Sequence, residues 1–311
     1  MTIFLRTFVL AAPLFVIVFI GYVMARLPFW RTKWTRWGYK FVFAVALPAL
    51  LFRMMSDLSA LPAVDARLLL AFFGGCFLVF LLGRLLAATA FRLDGVSQSV
   101  FALGGIFSNN VLLGLPLAKL VLGDGALPSV ALVLVFNSLT LWTLVSVSVE
   151  WARNGSFSPR GLGKTALGVL TNPVVASIIG GTLFGLCGLH LPRPIAFGLG
   201  AVGKLATPTA LLVLGMGLVE YGVGKGWQQS LTICALKLVV QPLVVLALAR
   251  ALHLPPMETK VVVLLASMSV GANVYLMAVQ FQALQAAVAG SLVLSTVMAA
   301  VTTPLLMALL G

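Results

Sequence analysis

The feature that most constrains this chain is a succession of apolar runs, each about 20 residues long, separated by short polar breaks. A helix rises about 1.5 Å per residue, so a run of that length matches the hydrocarbon core of a bilayer. Inside lipid a helix also satisfies its own backbone hydrogen bonds, which no open strand or loop can do there. Ten such stretches are predicted, at about 7–25, 38–55, 67–91, 96–121, 129–150, 166–189, 195–219, 228–252, 259–282 and 286–310. The first follows Arg6 but lacks a small-residue cleavage site leading into a soluble chain, so it reads as a retained span. Composition agrees: of 311 residues, 61% are hydrophobic and 9% charged, against about 25% charged in a soluble domain. A soluble two-domain enzyme is excluded, and the predicted fold class is an all-α polytopic membrane protein.

A net charge of +13 would point to nucleic acid in a soluble protein. Here most of the 20 cations stand between apolar runs, where they set membrane orientation, and no nucleic-acid partner is expected. The segments after spans 1, 3, 5, 7 and 9 hold ten: Arg26, Arg31, Lys33, Arg36, Lys40, Arg92, Arg153, Arg160, Lys164 and Lys225. The opposite side holds six: Arg6, Arg53, Arg67, Arg193, Arg250 and Lys260. By the positive-inside rule both termini face outward, with Trp30, Trp34, Trp37, Trp151 and Trp227 forming an aromatic belt on the cytoplasmic side. The seven acids, Asp57, Asp65, Asp94, Asp124, Glu150, Glu220 and Glu258, all fall at or near span ends.

Two halves of five spans each invite a search for a duplication. Pro13 and Pro173 stand 160 positions apart, as do Gly21 and Gly181, and Pro48 and Pro208. Asn110 and Asn273 stand 163 apart, and Asp94 and Glu258 stand 164 apart. Because five is odd, the second half must lie inverted, which predicts a site near the bilayer midplane at the repeat interface. The predicted organisation is a first repeat over 1–150, a short cytoplasmic linker over 151–165 and an inverted repeat over 166–311.

The chemistry concentrates where polar residues interrupt apolar runs. Span 4 contains Ser108-Asn109-Asn110, followed by Gly114 and Pro116. Buried amides are costly unless bonded, and a proline removes a helix hydrogen bond and crowds the carbonyl four residues earlier, so a helix break is predicted here. Span 9 has Ser267-Met268-Ser269-Val270-Gly271-Ala272-Asn273 at the same relative depth. Two broken helices crossing would present N–H groups to an anion and carbonyls to a cation. Small residues and Asn also serve helix packing; their occurrence as a repeated pair favours a substrate site. Lys237, with Gln241 one turn further on, lies mid-span in span 8. A buried ammonium there is either a direct substrate contact or a fixed charge neutralised by carbonyl ends. Arg84 is read as snorkelling to its span end. Cys76, Cys187 and Cys234 lack metal-ligand spacing and read as free buried thiols, while His190 and His253 read as interfacial. No catalytic constellation, phosphate loop or cofactor motif is visible, so neither an enzyme nor an ATP-driven pump is expected, and no metal or cofactor.

These segments resemble the auxin efflux carrier family, and in particular its bacterial malonate and malate carriers. The resemblance covers essentially the whole chain. It rests on Phe107-Ser108-Asn109-Asn110 with Gly114-Leu115-Pro116-Leu117, on Lys237-Leu238-Val239-Val240-Gln241-Pro242-Leu243, on Asn273, and on Leu294-Ser295-Thr296 with Thr303-Pro304. It implies ten helices in two inverted five-helix repeats. A scaffold from spans 1, 2, 6 and 7 would carry a transport domain from spans 3–5 and 8–10, and organic anions would sit near Asn110 and Asn273. It also implies a location in a plasma membrane, the bacterial inner membrane, and a homodimer through the scaffold. Two departures stand out. Many members carry a proline in the span 9 crossover where this chain has Ser269-Val270-Gly271, and the long cytoplasmic loop of the plant members is missing.

The expected function is secondary transport of mono- or dicarboxylates by elevator-type alternating access. Ser108, Asn109, Asn110, Ser269, Asn273, Lys237 and Gln241 would bind substrate, and Gly114, Pro116 and Gly271 would shape the crossover. Its rivals are a cation-coupled carrier of the related fold and a membrane ligand sensor without flux.

Overall fold

The computed structural model describes residues 3–27, 37–38, 40–56, 65–154, 173–219 and 226–310. The parts of the predicted linker and of the tryptophan belt at 28–36 and 155–172 lie outside these residues. The described chain is helical almost throughout: α1 (Ile3–Arg26), α2 (Leu47–Ser56), α3 (Arg67–Thr89), α4 (Gly95–Gly104), α5 (Leu115–Leu122), α6 (Leu127–Asn154) and α7 (Pro173–Leu186). These are followed by α8 (Arg193–Leu218), α9 (Trp227–Ala235), α10 (Gln241–Ala251), α11 (Pro256–Ala266), α12 (Ala272–Phe281) and α13 (Gln285–Leu310). Among the described residues the β-type pairing is a single bridge, Ser108 opposite Val270. Among the described residues, four helical stretches are long and apolar enough to cross a membrane: Arg67–Thr89, Arg193–Met216, Trp227–Ala251 and Gln285–Leu310.

The surface of α3 explains why the chain needs lipid. One face is buried, through Leu68, Phe72, Cys76, Val79 and Phe80. The opposite face exposes Leu70, Phe77, Leu78, Leu81, Leu82 and Leu85, so α3 is apolar all round. Such a face would drive aggregation in water and is ordinary in hydrocarbon. The protein is a multi-pass membrane protein.

Three prolines shape helices without ending them. Pro48, Pro116 and Pro242 each follow a single π-turn, at Val42–Ala46, Asn110–Gly114 and Leu236–Val240. A proline has no N–H to give and its ring collides with the carbonyl one turn back. Widening that turn moves the carbonyl aside, and the residue before each proline bonds five positions back: Leu47 to Val42, Leu115 to Asn110 and Gln241 to Leu236. Pro208, 160 positions after Pro48, lies inside continuous α8.

Packing brings these helices together at small residues. α3 meets α4 and α10, α4 meets α6, and α9 meets α13. Gly75 is where α3 comes close to α10; an added Cβ would lie 2.6 Å from Val245 Cγ2. Asp94 caps α4, accepting from the Val96 N–H at 3.0 Å, the Ser97 N–H at 3.1 Å and the Ser97 hydroxyl at 2.7 Å. Those bonds, the Ser97 side chain first, hold its carboxyl below the usual carboxylate range. Glu258 occupies the first turn of α11, so both interrupted helices begin with an acid at their positive end.

Candidate functional site

The site is built where two helices stop and restart. α4 ends at Gly104 and helix resumes at Asn110; α11 ends at Ala266 and helix resumes at Ala272. Each unwound segment uses the other as its hydrogen-bond partner. The Asn109 N–H donates to the Ser269 carbonyl, and the Gly271 N–H donates to the Phe107 carbonyl, both at 2.8 Å. Residues 105–110 and 267–271 are buried throughout. Irregular backbone at membrane depth is tolerated on that condition.

The break in span 4 therefore lies at Gly105–Asn109, upstream of the Gly114 and Pro116 to which the sequence points. Gly114 ends the π-turn and Pro116 lies in the first turn of α5, because the wider turn absorbs the proline. Span 9 breaks with no proline at all, held open by the backbone pairing; Gly271 stands in that segment.

Span 8 closes the carbonyl ends of both broken helices. Lys237 Nζ donates to the Ala266 carbonyl at the end of α11. Gln241 Nε2 donates to the Ile106 carbonyl at 2.9 Å, just beyond α4, and contacts Cys76 Sγ at 3.2 Å. Both side chains are fully buried. Of the two readings that the sequence left open for Lys237, this geometry occupies the carbonyl-end one. From the other side, α13 stitches the span 9 segment: Ser295 Oγ accepts the Val270 N–H at 3.0 Å, and Thr303 Oγ1 donates to the Ser267 carbonyl at 3.0 Å.

A cluster of buried polar atoms is left without protein partners: Ser108 Oγ, Asn109 Nδ2, both amide atoms of Asn110, Ser269 Oγ and Gln241 Oε1. Each would cost about 1–3 kcal/mol if it stayed unbonded, so the cluster calls for a polar guest. Asn273 stands in the first turn of α12 and is half-buried. The electrostatics are one-sided. The carbonyl ends of α4 and α11 are bonded by an amide and an ammonium, while the helices restarting at Asn110 and Ala272 direct their amino ends into the crossing. The result is an interior suited to negative charge.

One further buried amide was not singled out by the sequence. Asn137 Oδ1, on α6, is also buried and unpartnered. α4 and α6 run antiparallel, with Gly95 against Ala152 and Ser99 bonded to Ser148 at 2.8 Å. The available signal was a lone amide in the apolar run Leu134-Val135-Phe136-Asn137.

Other candidates lie elsewhere. Arg84 is half-buried and bonds Ser148 at 2.8 Å and Gln98 at 3.3 Å, joining three helices instead of simply snorkelling. Lys119 pairs with Asp124 at 3.3 Å on the surface. Cys76 and Cys234 are buried as expected, but Cys187 is exposed, because α7 ends at Leu186 and the thiol falls in the following turn. A cleft of about 560 Å³ between α1, α8 and Trp37, Gly38 and Phe41 is lined almost wholly by apolar side chains, including Ile17, Ile20 and Leu212. It includes none of the unpartnered polar atoms and is a poor host for an anion.

Residues 7–307 match the family described as membrane transport protein. A protein of Rhizobium meliloti (strain 1021) named "Putative malonate transporter" is 26% identical over 298 residues, covering 94% of this chain and 92% of that one. Both comparisons point to a transporter and away from an enzyme. With nearly its whole length matched, the chain belongs to the membrane transport protein family, the auxin efflux carrier family that its motifs resemble.

Proposed function

We propose that this chain is a secondary carrier of small organic anions, mono- or dicarboxylates, with the crossover as its binding site. The observation that carries this reading is the asymmetry of the crossing. Lys237 and Gln241 occupy the carbonyl ends, whereas the amino ends and the unpartnered Ser108, Asn109, Asn110 and Ser269 remain for a guest. Asn110 and Asn273 would donate amide hydrogen bonds to a carboxylate, and Lys237 sets a positive local potential. A relative whose name gives malonate as its cargo supports a dicarboxylate among the substrates. Movement would be of the elevator type, with the helices of spans 3–5 and 8–10 sliding against those of spans 1, 2, 6 and 7. Both termini would face outward in a bacterial inner membrane, with homodimerisation through the scaffold. A cation-coupled antiporter of this fold would ordinarily use a buried carboxylate at the crossing, and the described residues place none there.

Reconstituted protein is assayed for flux of labelled malonate, malate and indole-acetate. A hydrogen bond to a charged group is worth about 1.5–3 kcal/mol, so Asn110→Ala and Asn273→Ala should each lower flux by about 10- to 150-fold. Unchanged transport in both variants removes the proposed site, and ligand binding without flux in the intact protein identifies a sensor instead.

A further inference from the structure

We propose that Lys237 is the resident counter-cation of the crossover, holding the carbonyl end of α11 that a coupling alkali cation would otherwise occupy, so that transport runs without sodium or potassium. The coupling claim rests on the carrier reading above; the positional claim stands on the geometry alone.

The C-terminal end of a helix carries roughly half a negative charge on carbonyls that lack intrahelical partners. Where a helix ends inside a membrane, water cannot solvate that charge, and a donor or a cation must. This protein has two such ends in its crossover, and both are met by side chains from one turn of span 8. Lys237 Nζ bonds the Ala266 carbonyl and Gln241 Nε2 bonds the Ile106 carbonyl. Lys237 is fully buried, and no carboxylate is paired with it. Ion pairs such as Arg67 with Asp65 and Lys119 with Asp124 lie on other parts of the molecule. The counter-charge of the ammonium is therefore the helix end itself.

The same arrangement works against a second cation. A hard cation needs several oxygen ligands at once. The best-placed ones, the two carbonyl ends, are already bonded to N–H donors, and the free Gln241 Oε1 lies one turn from the ammonium. Two unit charges about 5 Å apart at an effective dielectric constant of about 20 repel strongly enough to weaken binding by more than about a hundredfold. An anion experiences the opposite: the fixed charge attracts it, and no co-transported cation is needed to neutralise the carbonyl end.

The test exchanges salts at constant ionic strength, comparing sodium, potassium and N-methyl-D-glucamine chlorides. For purified wild-type protein the melting temperature should be the same in all three, because nothing binds the alkali cations. Lys237→Met removes the donor from the Ala266 carbonyl while keeping the volume, and should acquire a melting temperature that rises with sodium. In proteoliposomes, wild-type malonate flux should stay within about twofold across the three salts. Lys237→Met should lose at least about tenfold in N-methyl-D-glucamine, and Lys237→Arg, which keeps the charge, should lose less than Lys237→Met and gain no dependence on sodium. A sodium- or potassium-dependent rise in wild-type melting, wild-type flux that falls about tenfold without alkali cation, or a Lys237→Met protein indifferent to sodium would each overturn the proposal. If Lys237→Met does not survive purification, the wild-type salt exchange decides by itself. Flux of no organic acid in any salt would refute the carrier reading instead, and the melting experiment, which uses no substrate, would still decide whether Lys237 holds a cation position.

Discussion

Two buried hydroxyls one turn apart on α13 should respond differently to the same deletion. Ser291 and Ser295 are both fully buried. Ser291 Oγ donates to the Val288 carbonyl of its own helix at 2.8 Å, and this carbonyl also lies within the helical ladder. Ser295 Oγ accepts the Val270 N–H of the unwound span 9 segment at 3.0 Å. Removing the Ser291 hydroxyl orphans nothing, so Ser291→Ala should change stability by no more than about 0.5 kcal/mol. Removing the Ser295 hydroxyl leaves a buried backbone N–H without a partner, at a cost of about 1–3 kcal/mol. With an unfolding entropy of about 2.1 cal/mol/K per residue over the 311-residue chain, that becomes a melting shift of about 1.5–5 °C. Thermal melting of the two purified variants measures the difference, and malonate flux should fall further in Ser295→Ala because the loosened segment carries Ser269. Equal shifts in the two proteins, or a silent Ser295→Ala, would refute the argument that α13 holds the crossover open through this hydroxyl.

Three further outcomes follow from the geometry. Gln241→Leu deletes the donor to the Ile106 carbonyl and should lower malonate flux about tenfold; Gln241→Glu sets a carboxylate against that carbonyl and should lower it more. A membrane-permeant maleimide should modify one thiol in the folded protein, Cys187, and all three after denaturation, as read by intact mass; rapid labelling of Cys76 or Cys234 would contradict their burial. Asp94→Ala should cost about 1 kcal/mol at neutral pH through the lost cap of α4. The folded carboxyl of Asp94 titrates below its usual range, so its contribution is complete above about pH 4 and fades as pH falls through the lowered value. Melting curves of Asp94→Ala should accordingly be flatter than those of wild type in that acid window.

The excess of cations acquires a second meaning in three dimensions. Arg67 Nη1 reaches the Leu252 carbonyl after α10 at 3.2 Å, Arg153 Nη2 reaches the Phe281 carbonyl ending α12 at 3.1 Å, and Lys237 reaches Ala266 ending α11. In a chain with seven acids against 20 basic residues, helix carbonyl ends take over part of the work of carboxylates. Loop position predicts which side of the membrane a cation faces, but not which helix end it reaches, since these pairs are separated by 185, 128 and 29 positions.

Much of the candidate site was legible in one dimension. Ser108-Asn109-Asn110 and Ser267 to Asn273 stand out because amides and hydroxyls are rare in apolar runs and must be bonded, and both stretches mark the helix interruptions. The exact point of interruption was not legible. In the sequence a proline points to it, yet Pro116 sits inside helix behind a π-turn, and span 9 breaks without one. A proline needs only that the preceding turn widen, whereas an unwound segment needs a partner for each freed N–H and carbonyl. In this protein the partners are the other segment, Ser295, Thr303, Lys237 and Gln241, all distant along the chain.

The sequence by itself determined that this chain lives in lipid as a helical bundle and that its polar chemistry lies in two interrupted helices. Both follow from local rules: apolar runs of membrane-spanning length, and the cost of an unbonded amide in hydrocarbon. Only the tertiary structure decided where the helices stop and which charged ends of them stay open. Those outcomes depend on hydrogen bonds between residues far apart in sequence, whose geometry exists only once the bundle has packed. The electrostatics of the crossing are set there, by Lys237 and Gln241 closing two carbonyl ends while Ser108, Asn109, Asn110 and Ser269 keep unpartnered polar atoms.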